Sequence, residues 1–305
     1  MNSTLSIRTL PLLTSLAIDS KNSFITIVNM KRGLNSYMYR YYPIDITSGN
    51  YTQFIPALIN SSNRMHIVWY GQSPASPSPF QIRYVKSIDG GNTWSNPIDI
   101  TSGSYDQYDP AIAIDSFNNI HIVWSGECSS SSNYYQIRYS KSTDGNTWSN
   151  PVNITSENYH QNCPKIAIDN SNNIHLVWQG INLTNPTGYQ IRYVKSTDGG
   201  NTWSNPVNIT SENYNQYDPA IAIDSFNNIH IVWDGGYSSN PNYQIRYSKS
   251  TDGGNTWSNP VNITSENYNQ YSPVITINTP NNIHIVWYGW TSLSPDYAQI
   301  RYARM

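Results

Sequence analysis

Charge is what this chain has least of: 12% of its 305 residues are Asp, Glu, Lys or Arg, and the formal net charge is −2. A balance so near neutral gives no electrostatic reason to expect nucleic acid or an anionic membrane surface as partner. No apolar run is long enough to cross a bilayer, so membrane insertion is not expected. The N-terminus lacks the basic, apolar, small-residue order of a signal peptide. Either the protein is not exported by that route or this is a mature form. Helical periodicity is also missing throughout. Only two cysteines occur, Cys128 and Cys163. What is plentiful is Tyr, Asn, Ser and Thr, a composition that suits an extracellular or cell-surface protein. Several Asn-x-Ser/Thr triplets, such as those at Asn153, Asn208 and Asn262, lie inside a repeated strand and read as strand composition.

The other abundance is internal repetition. SIDGGNTW from Ser87, STDGNTW from Ser142 and STDGGNTW from Ser196 and Ser250 end on Trp94, Trp148, Trp203 and Trp257, which are 54, 55 and 54 residues apart. HIVW-like segments end at Trp69, Trp124, Trp178, Trp233 and Trp287, and QIRY begins at Gln81, Gln136, Gln190, Gln244 and Gln299. A worn copy precedes them: Leu16–Asp19 match AIAID, Phe24–Val28 match IHIVW, and Met38–Tyr41 match QIRY. A period near fifty with β-branched and aromatic content indicates a β-propeller. Each unit reads as four short strands, and proline in the last (Pro97, Pro151, Pro206, Pro260) suits an outer edge where an N–H is dispensable.

The expected fold is therefore all-β, one six-bladed β-propeller over residues 1–305 with four-stranded antiparallel blades. Its blades fall at about 10–50, 51–103, 104–158, 159–213, 214–267 and 268–305, with an N-terminal strand at 3–9 completing the last. Cys128, in a loop between strands two and three, and Cys163, in a blade-to-blade connection, emerge on one face. A disulfide and two separate thiols are both open.

The octapeptides resemble the Asp-box, or BNR repeat, S-x-D-x-G-x-T-W, of sialidase-like six-bladed propellers. Ser196 to Trp203 fits every position, whereas the copy at Ser142 is one residue short and needs a rearranged turn. The resemblance implies that the box lies between strands three and four, on the face opposite the sialidase active site. It assigns Ser87, Asp89, Trp94, Asp144, Trp148, Asp198, Trp203, Asp252 and Trp257 structural roles. The chemistry agrees: Asp accepts backbone N–H bonds in an Asx-type turn, and glycine permits positive φ.

A sialidase would also need three arginines on a carboxylate, a Tyr–Glu nucleophile pair and an Asp acid/base. The family's R-I-P triplet is missing, with Arg8-Thr9-Leu10-Pro11 the nearest approach. Arg40, Arg83, Arg138, Arg192, Arg246 and Arg301 share one repeat position, so symmetry spreads them apart. Arg32, Glu127, Asp234 and Asp296 stand as weak catalytic candidates because they are not repeated. The repeated histidines (His66, His121, His175, His230, His284) are too far apart to share a metal whose ligands must come within about 2 Å. They read as packed strand histidines. No metal or cofactor is expected.

Binding is the better reading. The blade-to-blade connections carry Tyr105, Gln107, Tyr108, Tyr159, Tyr214, Gln216, Tyr217, Tyr268 and Tyr271, and the divergent loops between strands two and three include Trp290. Aromatic faces stack on sugars and amides bond hydroxyls, so multivalent carbohydrate recognition or adhesion is expected, with a glycan or cell-surface ligand. A protein partner, a purely structural role and a divergent sialidase-like glycosidase are the alternatives.

Overall fold

A computed structural model describes residues 43–305 apart from 62, 239, 279 and 280. The described chain from Asp45 to Met305 is one compact unit. It contains five antiparallel sheets in chain order. The first is β1 (Gln53–Ser61), β2 (Arg64–Gly71), β3 (Gln81–Ser87) and β4 (Ile98–Asp99). The second is β5 (Gln107–Ile114), β6 (Ile120–Cys128), β7 (Ser131–Ser142) and β8 (Val152–Asn153). The third is β9 (Gln161–Ile168), β10 (Ile174–Asn182), β11 (Asn185–Ser196) and β12 (Val207–Asn208). The fourth is β13 (Gln216–Ile223), β14 (Ile229–Tyr237), β15 (Asn240–Ser250) and β16 (Val261–Asn262). The fifth has β17 (Gln270–Asn278), β18 (Asn282–Thr291) and β19 (Ser294–Arg304). Each sheet is a meander, and all strand pairs are antiparallel. The described unit is an all-β propeller. It contains no helix long and apolar enough to cross a membrane.

The core lies between blades. Val68, Ile82 and Tyr84 of the first blade pack with Ile112, Ile120, Ile122 and Trp124 of the second. The same pairing recurs at the next three joints. This explains why the second strand reads as a continuous apolar run: Ile122 and Val123, on opposite faces of β6, are both fully buried. One blade cannot bury its own faces, so neighbours must supply the partner surface.

The observed count is five blades, which corrects the expected six. The worn copy at 16–41 and the closing strand at 3–9 lie outside the described residues. That copy rests on apolar positions, Asp19 and the Arg40-Tyr41 pair. Residues 1–42 contain no Trp, His or Gln, the residues that cross-link every observed blade. Among the described residues the fifth blade has three strands, and Ile300 and Tyr302 on β19 are 80% and 57% exposed, where Ile245 and Tyr247 of β15 are 0% and 6%.

Candidate ligand-binding face

In such a meander, the start of strand one, the end of strand two and the start of strand three share one end of the blade. A repeated hub fixes that end. The Gln that opens strand one accepts a bond from the indole N–H of strand two, as in Trp124 to Gln107 at 2.6 Å and Trp233 to Gln216 at 2.7 Å. The strand-three arginine donates to the same oxygen, Arg138 at 3.1 Å and Arg246 at 3.2 Å. The amide nitrogens donate to backbone carbonyls: Gln107 to Tyr105 and Glu127, Gln216 to Tyr214 and Gly236. Both glutamines are buried with internal partners on both polar atoms, so they hold the connections in place.

Above this hub runs a belt of aromatic rings, half-buried except for the exposed Phe54. Phe54, Tyr70, Phe80, Tyr108 and Tyr135 are linked by centroid contacts of 5.1–6.0 Å, and Tyr135 meets His160 at 5.3 Å. A second run links Tyr189 to Tyr217 (5.3 Å), Tyr243 (5.9 Å), Tyr271 (5.4 Å), Tyr288 (5.8 Å) and Trp290 (6.3 Å). The two runs are separated at the third blade, where Asn162 takes the place of the inner-strand tyrosine and donates to the Tyr189 hydroxyl at 3.3 Å. Of the expected ligand residues, Tyr108, Tyr217, Tyr271 and Trp290 join the belt. Tyr105, Tyr159, Tyr214 and Tyr268 are half-buried in the connections, where their carbonyls accept glutamine bonds. Phe80, Tyr135, Tyr189 and Tyr243 also belong to the belt and are not among the expected ligand residues. Their signal was available, an aromatic residue directly before the Gln of QIRY in four units.

Beside the belt, the inner strands bulge, and Ile55, Asp109, Cys163, Asp218 and Ser272 take positive φ of 45–54°. These are non-glycine residues in the left-handed region, a costly geometry that the packing must enforce. The bulges link adjacent blades: Cys163 N donates to Ser125 Oγ (3.1 Å), Asp218 N to Gln179 Oε1 (2.8 Å) and Ser272 N to Asp234 Oδ1 (2.9 Å). The Ser272 hydroxyl donates to Asp218 Oδ2 at 2.9 Å. Burial pushes the carboxyls of Asp109 and, much further, Asp234 upward, and the Asp218 charge adds to the effect on Asp234. Burial also holds the Tyr217 phenol up at about 12.

The three weak catalytic candidates among the described residues lie on three different blades. Asp234 is buried beside Asp218, Glu127 lies near Asp106 and His160, and Asp296 is exposed on β19. Arg32 lies outside the described residues. Both thiols are free: Cys128 Sγ accepts from Asn153 Nδ2 at 3.2 Å, and Cys163 Sγ donates to Asp109 at 3.6 Å. Each strand histidine meets a tyrosine hydroxyl through Nδ1, at 2.5–2.8 Å.

The octapeptides occupy the other end. Ser196 Oγ accepts from Gly200 N (2.9 Å) and donates to Asp198 Oδ1 (2.8 Å), and Asp198 accepts from Thr202 N (2.9 Å) and Thr202 Oγ1 (2.6 Å). Similar bonds recur at Ser87–Thr93 and Ser250–Thr256. In the short copy Gly145 N reaches Ser142 one residue earlier, and Thr147 Oγ1 divides its bond between both Asp144 oxygens. These bonds hold the aspartates well below the usual carboxylate range, Asp89 at about 2 through Thr93 first. Trp148, Trp203 and Trp257 pack edge-on against Tyr84, Tyr139 and Tyr193 of the preceding blade at 5.0–5.2 Å. Trp94 packs at the margin of the first blade's core.

No protein-family model and no curated protein sequence matches this chain. Its fold is similar to solved propellers. A protein of unknown function from Dyadobacter fermentans shares 16% identity at a TM-score of 0.60, over 84% of this chain and 83% of that one. An ulvan lyase of a polysaccharide lyase family shares 15% at 0.59, over 82% and 68%. The NanB sialidase from Streptococcus pneumoniae shares 12% at 0.52, over 83% and 68%. The described unit thus has a sialidase-like propeller fold. At these identities the likeness defines fold alone.

Proposed function

We propose that this protein is a non-catalytic, multivalent carbohydrate-recognition propeller acting on or outside the cell, with its octapeptides serving as Asp-box turns. The belt of aromatic rings on the connection face is the observation that carries this reading. Such rings offer flat C–H-stacking surfaces at several repeat-related places, and weak contacts repeated in this way sum to avidity. Carbohydrate-directed neighbours such as the ulvan lyase and the sialidase are compatible with that reading. The test is retention on an array of sialylated and neutral glycans, by the wild type and by the Tyr217→Ala/Tyr243→Ala double variant. Selective retention lost in the variant, with an unchanged circular dichroism spectrum, supports the belt. Equal retention by both proteins refutes it.

A glycosidase is the second reading, favoured by one observation. Asp234 is buried beside Asp218 with its carboxyl pushed well up, the condition of a general acid. Against it, Asp234 Oδ1 already accepts the Ser272 N–H, a task done by Ser125 and Gln179 at other joints. Release of free sugar from array spots, abolished by Asp234→Asn, would establish the enzyme.

A further inference from the structure

The five strand-three arginines provide an internal comparison. Each guanidinium lies 5.4–5.8 Å from the centroid of its strand-two tryptophan. In three blades a glutamate from the preceding connection grips it through two oxygens: Glu157 on Arg192 at 2.7 and 2.8 Å, Glu212 on Arg246, and Glu266 on Arg301 at 2.8 and 2.6 Å. In the first blade the glutamate position is Gly49, and strand four supplies Asp99 instead, 2.8 Å from Arg83 Nε. The second blade has neither carboxylate. Gly103 stands at the glutamate position and Asn153 at the Asp99 position. Arg138 donates to Asn153 Oδ1 (3.0 Å), Gln107 Oε1 (3.1 Å) and the Glu127 carbonyl (3.3 Å), all neutral acceptors. Among the described residues it alone of the five forms no ion pair.

The vacancy has room. In the fourth blade the corresponding pocket, about 470 Å³, is lined by Ser211, Glu212, Tyr237, Arg246 and Asn262. In the second blade the Glu212 equivalent is Gly103, with no atom within 4 Å of where a Cβ would be, and the Tyr237 equivalent is the smaller Cys128. A half-buried cation without a counter-charge is costly, and the planar guanidinium fork fits a carboxylate in two places.

We infer that Arg138, with Asn153 and Cys128 at its rim, is a binding site for a carboxylate brought by a ligand, which takes the place of the missing glutamate. The shared chemistry is a carboxylate, carried by an acidic sugar or by a simple organic acid. The site is built from different residues than the aromatic belt, and its test does not depend on belt binding.

The test follows the Arg138 Nε–Hε resonance during titration with glucuronate, acetate and glucose. Asn153→Asp serves as the blocked variant, because it rebuilds the Arg83–Asp99 pair of the first blade with little change of shape. Saturable shifts with glucuronate and acetate but not glucose, weakened at least ten-fold in Asn153→Asp, are expected. Shifts with glucuronate alone, lost in the variant, uphold the site and assign it to acidic sugars. No saturable shift, an equal response to glucose, or full binding by Asn153→Asp overturns the proposal. Arg138→Gln is the second variant, and retained glucuronate affinity there overturns it as well.

Discussion

The octapeptide end and the connection end of each blade are built on opposite terms. At the octapeptide end, side chains close on one another and on the next blade. Lys141 Nζ reaches the Gly199 carbonyl and Asn201 Oδ1, each at 2.8 Å, and Lys195 repeats this to Gly253 and Asn255. The strand-one-to-two turns form a second ladder, with Ser116 N on Asn172 Oδ1 at 2.9 Å and Asn170 N on Asn227 Oδ1 at 3.0 Å. At the connection end the hub is equally closed, but the layer above it is half-open aromatic surface, strained bulges and a buried carboxyl. Near-identity of sequence marks the end that holds blades together. Variation and strain mark the connection end, where the proposed ligand face lies.

Acid should break the first end with the largest effect. Burial lowers the imidazoles of His66, His121, His175 and His230, His66 from 6.5 to about 4. The unfolded chain then binds the extra protons, so stability is full above about pH 6.5 and falls as pH drops toward 4. His66 alone accounts for a loss on the order of 3 kcal/mol by pH 4. The octapeptide aspartates, with carboxyls lowered in the fold, add their losses below the ordinary value of 3.8. Urea midpoints measured from pH 7 to 4 should fall steadily. A flat profile would mean the histidines are not buried neutral.

A single glycine comes next. Gly200 has φ +81°, and a Cβ there would collide with the Tyr139 hydroxyl, which also bonds His121. Gly199 beside it has φ +68° but open space around it. Gly200→Ala should cost about 2–4 kcal/mol through strain and overpacking together, and Gly199→Ala about 1 kcal/mol through strain alone. Equal losses in thermal melts would remove the Tyr139 contact from the account.

That contrast shows what the sequence made legible and what it hid. The strand order, the octapeptide turns and the tyrosines of the connections could be read because they repeat, and repetition exposes local pattern. The hub glutamines could not be read as structural. Gln107 and Gln216 look like surface amides until Trp124 and Trp233, 17 residues downstream in each blade, are seen to donate to them. The blade count failed for a related reason. Leu16–Asp19 and Met38–Tyr41 keep the apolar and Arg-Tyr pattern of a repeat without its Trp, His and Gln partners. The aromatic belt needed the pleat as well, since Tyr217 and Tyr243 meet only when the first and third strands lie two apart in one sheet.

At the connection end, removing a ring should cost far less than disturbing the octapeptide glycine. Tyr217 is half-buried and touches Tyr189 and Tyr243, so Tyr217→Ala should lose about 1 kcal/mol of stability while weakening glycan retention. A loss as large as that of Gly200→Ala would make the ring a core element and undo the contrast between the two ends.

The smallest and most discriminating change is Asp234→Asn. The amide oxygen can still accept the Ser272 N–H, as the Gln179 amide does for Asp218 at the preceding joint. Burial and Asp218 disfavour the ionised carboxyl, so at pH 7 the variant should be at least as stable as the wild type. The sign is opposite to that of the histidines. The folded wild type takes up its proton at a higher pH than the unfolded chain, so acidification toward 3.8 favours wild-type folding and should narrow the gap between the two proteins. Parallel urea midpoints for both proteins over that range cancel the shared histidine loss and leave this difference alone. A variant less stable than wild type at pH 7 would mean that the Asp234 charge stabilises the fold. A gap that closes in acid would mark it as a carboxyl held against its preference on the face where the aromatic belt lies, as a binding or reacting group would be.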